Sequence, residues 1–253
     1  YTLEELLKKY KRRYVSNKII SSTTVLYRSN AQSRVLEEAL LRAGIAYRIH
    51  GGVRFFERAE IKDTLAYLRL LANPQDDTAF ERVVNFPVRG IGEKTLEELR
   101  YLAKTEQTSL WQAAQELCLQ PSSLSARASS ALAQFIQLIE ALREKTMGMD
   151  LDEQIAAVIN DSGLYAHFSK IKQDKAESRL ENLQELVNAA KQFRYEQDPE
   201  EELPILLAFL AHASLEAGDM QAAEHEHSVH LMTFHAAKGL EFPFVFLVGM
   251  EEW

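Results

Sequence analysis

VHLMTFHAAKGLEFPFVFLVGMEEW, residues 229–253, is the stretch that decides the fold class. Apolar and polar residues alternate through His230, Leu231, Met232, Thr233 and Phe234, then give way to a small cationic turn, His235-Ala236-Ala237-Lys238-Gly239. A nearly continuous apolar run follows from Phe242 to Val248, broken by Pro243. Two short apolar runs around a Lys-Gly turn predict two buried strands, or a strand and a short helix. A turn that sets His235, Lys238 and Glu241 at the end of buried strands is where α/β proteins hold ligands. An ordinary connection between elements has the same spacing, so this turn alone leaves both readings open.

The partner strands lie far away in sequence. Thr23-Thr24-Val25-Leu26-Tyr27 is β-branched and apolar, as a buried strand requires. Ser29 or Asn30 can cap a helix from about Ala31 to Ala43, stopped by Gly44, and Ile45–Ile49 predicts a second strand before Gly51-Gly52. Strand, helix and strand with short loops imply a right-handed parallel crossover. Its ligand edge is the loop after Tyr27, with Arg28, Ser29, Asn30, Gln32 and Ser33. A helix from about Arg58 to Ala72 follows and ends at Asn73-Pro74. Neither piece holds enough strands for a sheet of usual size, about five or six. The economical solution is one sheet shared by Thr23–Asn73 and Val229–Trp253.

Between them the pattern is helical. Apolar positions recur at three and four residues over 77–86, 95–104, 109–118, 126–144, 151–160, 176–195 and 203–216, with Trp111 and Phe135 at core spacing. Residues 197–202 read as an acidic loop and 217–227 as a polar connector. Inside this block Phe86-Pro87-Val88-Arg89-Gly90-Ile91-Gly92-Glu93-Lys94-Thr95 joins two helices through a Gly-hydrophobic-Gly turn, the pattern of a helix-hairpin-helix. Glycines bring backbone N–H groups close to an anion, and the following helix starts there with its positive dipole end. With Arg89 and Lys94 flanking it, the turn reads as a sequence-independent grip on a DNA phosphate, or as a plain connection between helices.

Composition narrows the function classes. Hydrophobic content of 46% beside 26% charged residues is that of a globular protein, and no apolar run approaches the ~20 residues of a membrane span. Charged residues fill YTLEELLKKYKRRY at the start, where a signal peptide has its apolar core, so a cytoplasmic protein is expected. Cys118 is the single cysteine, which excludes an internal disulfide and a cysteine metal cluster. Lys and Arg number 19 against 13 Asp and Glu over residues 1–105, and 10 against 24 over 106–253. A positive first part on a chain of net charge −8 fits a local polyanion-binding face, and equally fits charge drift between helices. Residues 2–14 predict a helix capped by Thr2; the six basic residues from Lys8 to Lys18, at and beyond its end, read as a solvated helix end or a phosphate-facing patch. The seven histidines show no metal spacing. No nucleophile elbow, EF-hand, dinucleotide fingerprint or GxxxxGK[ST] phosphate loop occurs.

YRSNAQSRVLEEAL (27–40), GGVRFFERAEIKDTLAYLRLLANPQDD (51–77), the PVRGIG turn (87–92) and LMTFHAAKGLEFPFVFLVGMEE (231–252) resemble the UvrD/PcrA/Rep group of superfamily 1 DNA helicases. The resemblance implies two RecA-like motor domains, 1A and 2A, each interrupted by an insertion, 1B and 2B. It makes residues 1–75 and 228–253 a partial domain 2A and residues 76–227 the helical 2B insertion, so the fold expected is α/β plus all-α. It further implies that Thr233 and His235 face single-stranded DNA, with Arg28 and Asn30 in the neighbouring loop. By the same resemblance Lys238, Gly239 and Glu241 lie toward the nucleotide. Arg89, Gly90, Ile91, Gly92 and Lys94 match the 2B element that contacts duplex DNA.

The family's Walker A lysine and Walker B acids belong to domain 1A and have no counterpart here. The expectation is therefore part of an ATP-dependent 3′→5′ DNA helicase serving repair or replication, with no catalytic residue of its own and no metal site. ATP and Mg²⁺ are expected in the intact parent, and no cofactor on this piece. Expected partners are DNA, the missing domain 1A and repair proteins meeting 2B, with no membrane; a bacterial, nucleoid-associated cytoplasmic location follows from the same resemblance. The alternative is a non-catalytic interaction or regulatory module of a degenerate helicase.

Overall fold

A computed structural model describes residues 23–119, 124–171, 173–195, 203–218 and 227–250. The predicted helix over 2–14, the acidic loop 197–202 and most of the 217–227 connector lie outside them. The described chain divides at Arg58/Ala59 and at Ala213/Ser214 into two compact units.

The first unit is built on a four-stranded sheet. Its strands are β1 (Thr23–Tyr27), β2 (Tyr47–Ile49), β3 (Val229–Thr233) and β4 (Phe244–Leu247), in the order β2-β3-β1-β4. All pairings are parallel: β1 runs beside β3 with Val25 opposite Leu231, and beside β4 with Val25 opposite Phe246. Tyr47 pairs with Val229 at the outer edge. Two segments distant in sequence thus share one sheet, as the strand count demanded. A 3-10 turn at Asn30–Gln32 leads into α1 (Ser33–Arg42), whose Leu36 and Leu40 cover Val25, Tyr27, Ile49 and Leu231.

Two differences from the sequence reading have local causes. β2 starts later than expected because the N–H groups of Gly44 and Ile45 turn back onto Leu41 and Leu40, closing the end of α1. β4 starts after Pro243, which has no N–H for the ladder. β4 also departs from the buried strand expected. It is an edge strand, and Phe244, Val245 and Leu247 are 42%, 46% and 52% exposed.

The second unit is helical. Its elements are α2 (Ala59–Ala72), α3 (Asp77–Val83), α4 (Glu93–Glu106), α5 (Leu110–Leu119), α6 (Ala126–Thr146), α7 (Leu151–Asp161), α8 (Leu164–Ser169), α9 (Gln173–Gln192) and α10 (Ile205–Gly218); the second unit boundary falls inside α10. α2 is the hub, packing on α3, α6, α7 and α9, with Ile61, Leu68 and Leu70 fully buried. That packing groups α2 with the helices, so both unit boundaries come earlier in the chain than the domain limits expected from sequence. Phe80 anchors α3 between the rings of Trp111 and Phe135, both core residues as their spacing predicted. α8 escapes the sequence pattern because six residues between Gly163 and Lys170 are too few to show a period.

Candidate functional site

Parallel strands all end on one side, so the first unit gathers its loops at the C-terminal edge of the sheet. The loop after β1 carries Arg28, Ser29 and Asn30; the turn after β3 runs from Phe234 to Gly239. Tyr27 O accepts the Phe234 N–H at 3.1 Å, which sets the two loops side by side. The Thr233 hydroxyl accepts the Ala236 N–H at 3.2 Å, and Thr233 O accepts that of Ala237. Thr233 thereby shapes the turn with its hydroxyl. Gln32 Oε1 accepts the N–H groups of both Arg28 and Ser29. Its carboxamide also lies against Gly249, where a Cβ would collide with it, so the segment after β4 joins the same edge.

Of the residues predicted for this edge, Arg28, Asn30, His235, Lys238 and Glu241 are exposed. The side chains of His235, Lys238 and Glu241 have no ion-pair or hydrogen-bond partner among the described residues. An unpaired Lys beside Gly239 (φ 85°) can meet a phosphate, and an unpaired carboxylate can accept sugar hydroxyls. These residues suit one side of a nucleotide site. No group of three or more His, Cys, Asp or Glu that could hold a metal ion stands among the described residues.

Behind the edge lies a polar network that sequence reasoning missed. Glu37, 4% exposed, accepts from the Ser33 hydroxyl at 2.7 Å and from the Phe55 N–H at 3.2 Å. Arg58 donates to Ser33 Oγ at 2.6 Å and to Asn30 O at 2.9 Å, so a buried guanidinium fixes the loop that presents Arg28 and Asn30. Burial pushes the Glu37 carboxyl pKa up, against the pull of Ser33, Phe55, Arg58 and Arg54. Burial likewise pushes the Tyr27 hydroxyl to about 12. His50 Nε2 and His230 Nδ1 are 2.6 Å apart and tie the end of β2 to β3. Gly51, next to His50, packs on Ala236 of the turn. Burial, His230 and Arg48 together lower the His50 pKa.

The second unit presents the other predicted element, the turn between α3 and α4. It passes through a cis Phe86–Pro87 peptide and rises to φ 89° at Gly90, a conformation L side chains rarely adopt. The Asn85 side chain organises it: Oδ1 accepts the N–H groups of Arg89, Gly90 and Ile91 at 2.9, 3.1 and 3.1 Å. The anion cradle expected at the two glycines is therefore filled from within by a carboxamide oxygen. Ile91 is fully buried and anchors the turn. What still faces outward is the start of α4, where Gly92 caps the helix and Lys94 stands exposed, with no partner among the described residues.

Arg89 has a different task from the flanking phosphate cation expected. Its Nη1 donates to Val83 O and Pro87 O, and its Nη2 to the Tyr67 hydroxyl at 2.6 Å and Ser162 O at 2.9 Å. The guanidinium also lies over the rings of Tyr67 and Phe135. A cation with four internal acceptors has little donor capacity left for a ligand. Sequence could not reveal this, because Tyr67 and Ser162 are remote from the turn. Glu93 is also occupied, paired with Arg100 at 2.6 Å.

The chain matches the model of the UvrD-like helicase C-terminal domain over residues 2–253. DNA helicase II of Escherichia coli strain K12 is 56% identical over 233 residues, 92% of this chain and 32% of that protein. DNA helicase II of Haemophilus influenzae is 55% identical over the same shares. The ATP-dependent DNA helicase PcrA of Bacillus subtilis is 42% identical over 239 residues, again 92% of this chain and 32% of the relative. The chain thus spans about a third of the length of the curated relatives it matches.

Proposed function

The chain belongs to the family of UvrD-like helicase C-terminal domains, and on that premise we propose that it supplies DNA contacts and half of an ATP-coupling site to a DNA helicase motor. The observation that carries this is the C-terminal edge of the sheet, where Arg28, Asn30, His235, Lys238 and Glu241 stand exposed together on loops fixed from behind. In this reading residues 1–75 and 228–253 are a portion of the motor domain 2A and residues 76–227 are its 2B insertion.

Single-stranded DNA runs past Thr233 and His235. The nucleotide meets Lys238 and Glu241, the first toward phosphate charge and the second toward the sugar hydroxyls. ATP would supply the phosphoryl-transfer energy; this chain's residues bind and orient one side of it. Phosphoryl transfer needs cation, metal and base assembled together. Toward the nucleotide this reading places Lys238, Gly239 and Glu241 among the described residues, so we assign ATP hydrolysis, and the Mg²⁺ it uses, to the intact motor. Movement in the 3′→5′ direction and a role in repair or replication follow from the family resemblance and belong to that whole motor.

The turn between α3 and α4 acts as a helix-hairpin-helix, gripping a duplex phosphate through Lys94 and the start of α4. Such a grip is electrostatic and depends steeply on salt. Fluorescence anisotropy of a labelled duplex against KCl concentration tests it. Lys94→Glu should weaken binding by about 1 kcal/mol or less, as exposed charge contacts do. Gly90→Pro should weaken it too, since proline cannot take the φ of 89° found there. Unchanged affinity in both variants would remove the turn from the DNA interface.

A further inference from the structure

We propose that Arg127 is a second phosphate-contacting residue of the α3–α4 turn, closing on the DNA strand from α6 while Lys94 meets it from α4. The inference rests on the reading of this turn as a DNA grip. It adds a residue that neither the Gly-Ile-Gly pattern nor the neighbouring sequence points to.

Arg127 is the second residue of α6, just after the N-cap Ser125, whose hydroxyl accepts the Ala128 N–H. The fold brings it to the turn: a Cβ on Gly90 would lie 3.7 Å from Arg127 Nε and 3.8 Å from its Nη2. The guanidinium therefore stands beside the place that a side chain on Gly90 would occupy, at the point where the chain has positive φ. Unlike Arg89, Arg127 is exposed and has no ion-pair or hydrogen-bond partner among the described residues.

The charges around the turn single it out. Glu93 is held by Arg100, which also binds Glu81 at 2.6 Å. Arg89 spends its donors on Val83, Pro87, Tyr67 and Ser162. Lys94 and Arg127 are left with their charge facing solvent. A planar guanidinium offers paired donors matched to two phosphate oxygens, where a lysine offers a point charge. Gly90 has no side chain to stand between that guanidinium and an approaching strand.

The test uses the full chain and a fluorescein-labelled blunt DNA duplex, with binding followed by anisotropy from 50 to 200 mM KCl for wild type, Arg127→Gln, Arg127→Lys and Lys94→Gln. Removing one cation that neutralises a phosphate should lower the slope of log affinity against log salt by about 0.9. Arg127→Gln should lose about that much slope and bind roughly two- to fivefold more weakly at low salt. Arg127→Lys should keep the slope, and the thermal midpoint should stay at the wild-type value because the side chain is exposed. A wild-type slope and affinity in Arg127→Gln, beside a reduced slope in Lys94→Gln, overturns the Arg127 proposal and leaves the turn reading standing. Wild-type behaviour in both variants overturns the two together.

Discussion

The two units each bend the backbone through a positive-φ glycine beside a basic residue, and they use that residue in opposite ways. In the sheet unit, Lys238 precedes Gly239 and is exposed, with no side-chain partner among the described residues. In the helical unit, Arg89 precedes Gly90 and turns inward to bind the end of α3, a carbonyl of its own loop, a tyrosine on α2 and the end of α7. The difference lies in what surrounds each turn. The Phe234–Gly239 turn is held by backbone hydrogen bonds and the Thr233 hydroxyl, so it has no need of its cation. The α3–α4 turn has several carbonyl oxygens pointing into its interior, and a guanidinium satisfies them. In this chain the turn already satisfied by other groups leaves its cation exposed, and the turn that is not draws its cation inward.

Arg89→Ala should break this comparison most sharply. It takes the guanidinium donors from Pro87 O, Ser162 O and the Tyr67 hydroxyl, while Val83 O keeps the Phe86 N–H, an effect worth about 2–4 kcal/mol in urea unfolding followed by circular dichroism. Lys238→Ala, by contrast, should change stability by less than about 0.5 kcal/mol. Equal effects would mean that Arg89 carries no structural burden. Asn85→Ala comes next, because one carboxamide oxygen holds three successive N–H groups. A loss of about 1–2 kcal/mol is expected, with weaker duplex binding as the turn loosens.

Behind the sheet edge, Glu37 provides a smaller, pH-dependent contrast. Burial raises its folded pKa above the unfolded value, so the folded chain holds that proton more tightly. Its favourable contribution is therefore complete below the unfolded pKa and is lost as pH rises through the folded pKa. The stability of wild type relative to Glu37→Gln should fall as pH is raised from 4 to 7. Urea midpoints across that range measure it, and a rising difference would contradict the burial argument. The smallest effect belongs to His50. Its folded pKa is lowered, so its contribution is present above the unfolded pKa and is lost on acidification through the folded one. Amide chemical shifts of Gly51 and Ala236 should move together as pH falls below 6.5 in wild type and move less in His50→Gln.

Much of the fold could be read in sequence because it rests on period. Alternation and apolar runs marked β1, β3 and the region of β4, and three-four spacing marked the long helices. The shared sheet followed from strand supply. What sequence could not show was direction. Arg89 reads as a flanking cation until Tyr67 and Ser162, both far along the chain, are brought to it. Arg127 is invisible for the same reason in reverse, since only folding carries the start of α6 to Gly90. The exposure of β4 is hidden because an edge strand and a central strand share the same apolar composition. Asn85 does carry a signal: an Asn just after a helix, followed by a glycine turn, commonly bonds local N–H groups.

The central claim is that the two exposed surfaces take different forms of DNA, the sheet edge a single strand and the α3–α4 turn a duplex. Hydrogen–deuterium exchange of the chain with single-stranded DNA, with duplex and without DNA tests it directly. A single strand should slow exchange over residues 28–30 and 233–237, and a duplex over 88–95 and 125–128. Protection by either DNA that falls elsewhere in the chain, or the same footprint for both, would contradict the account.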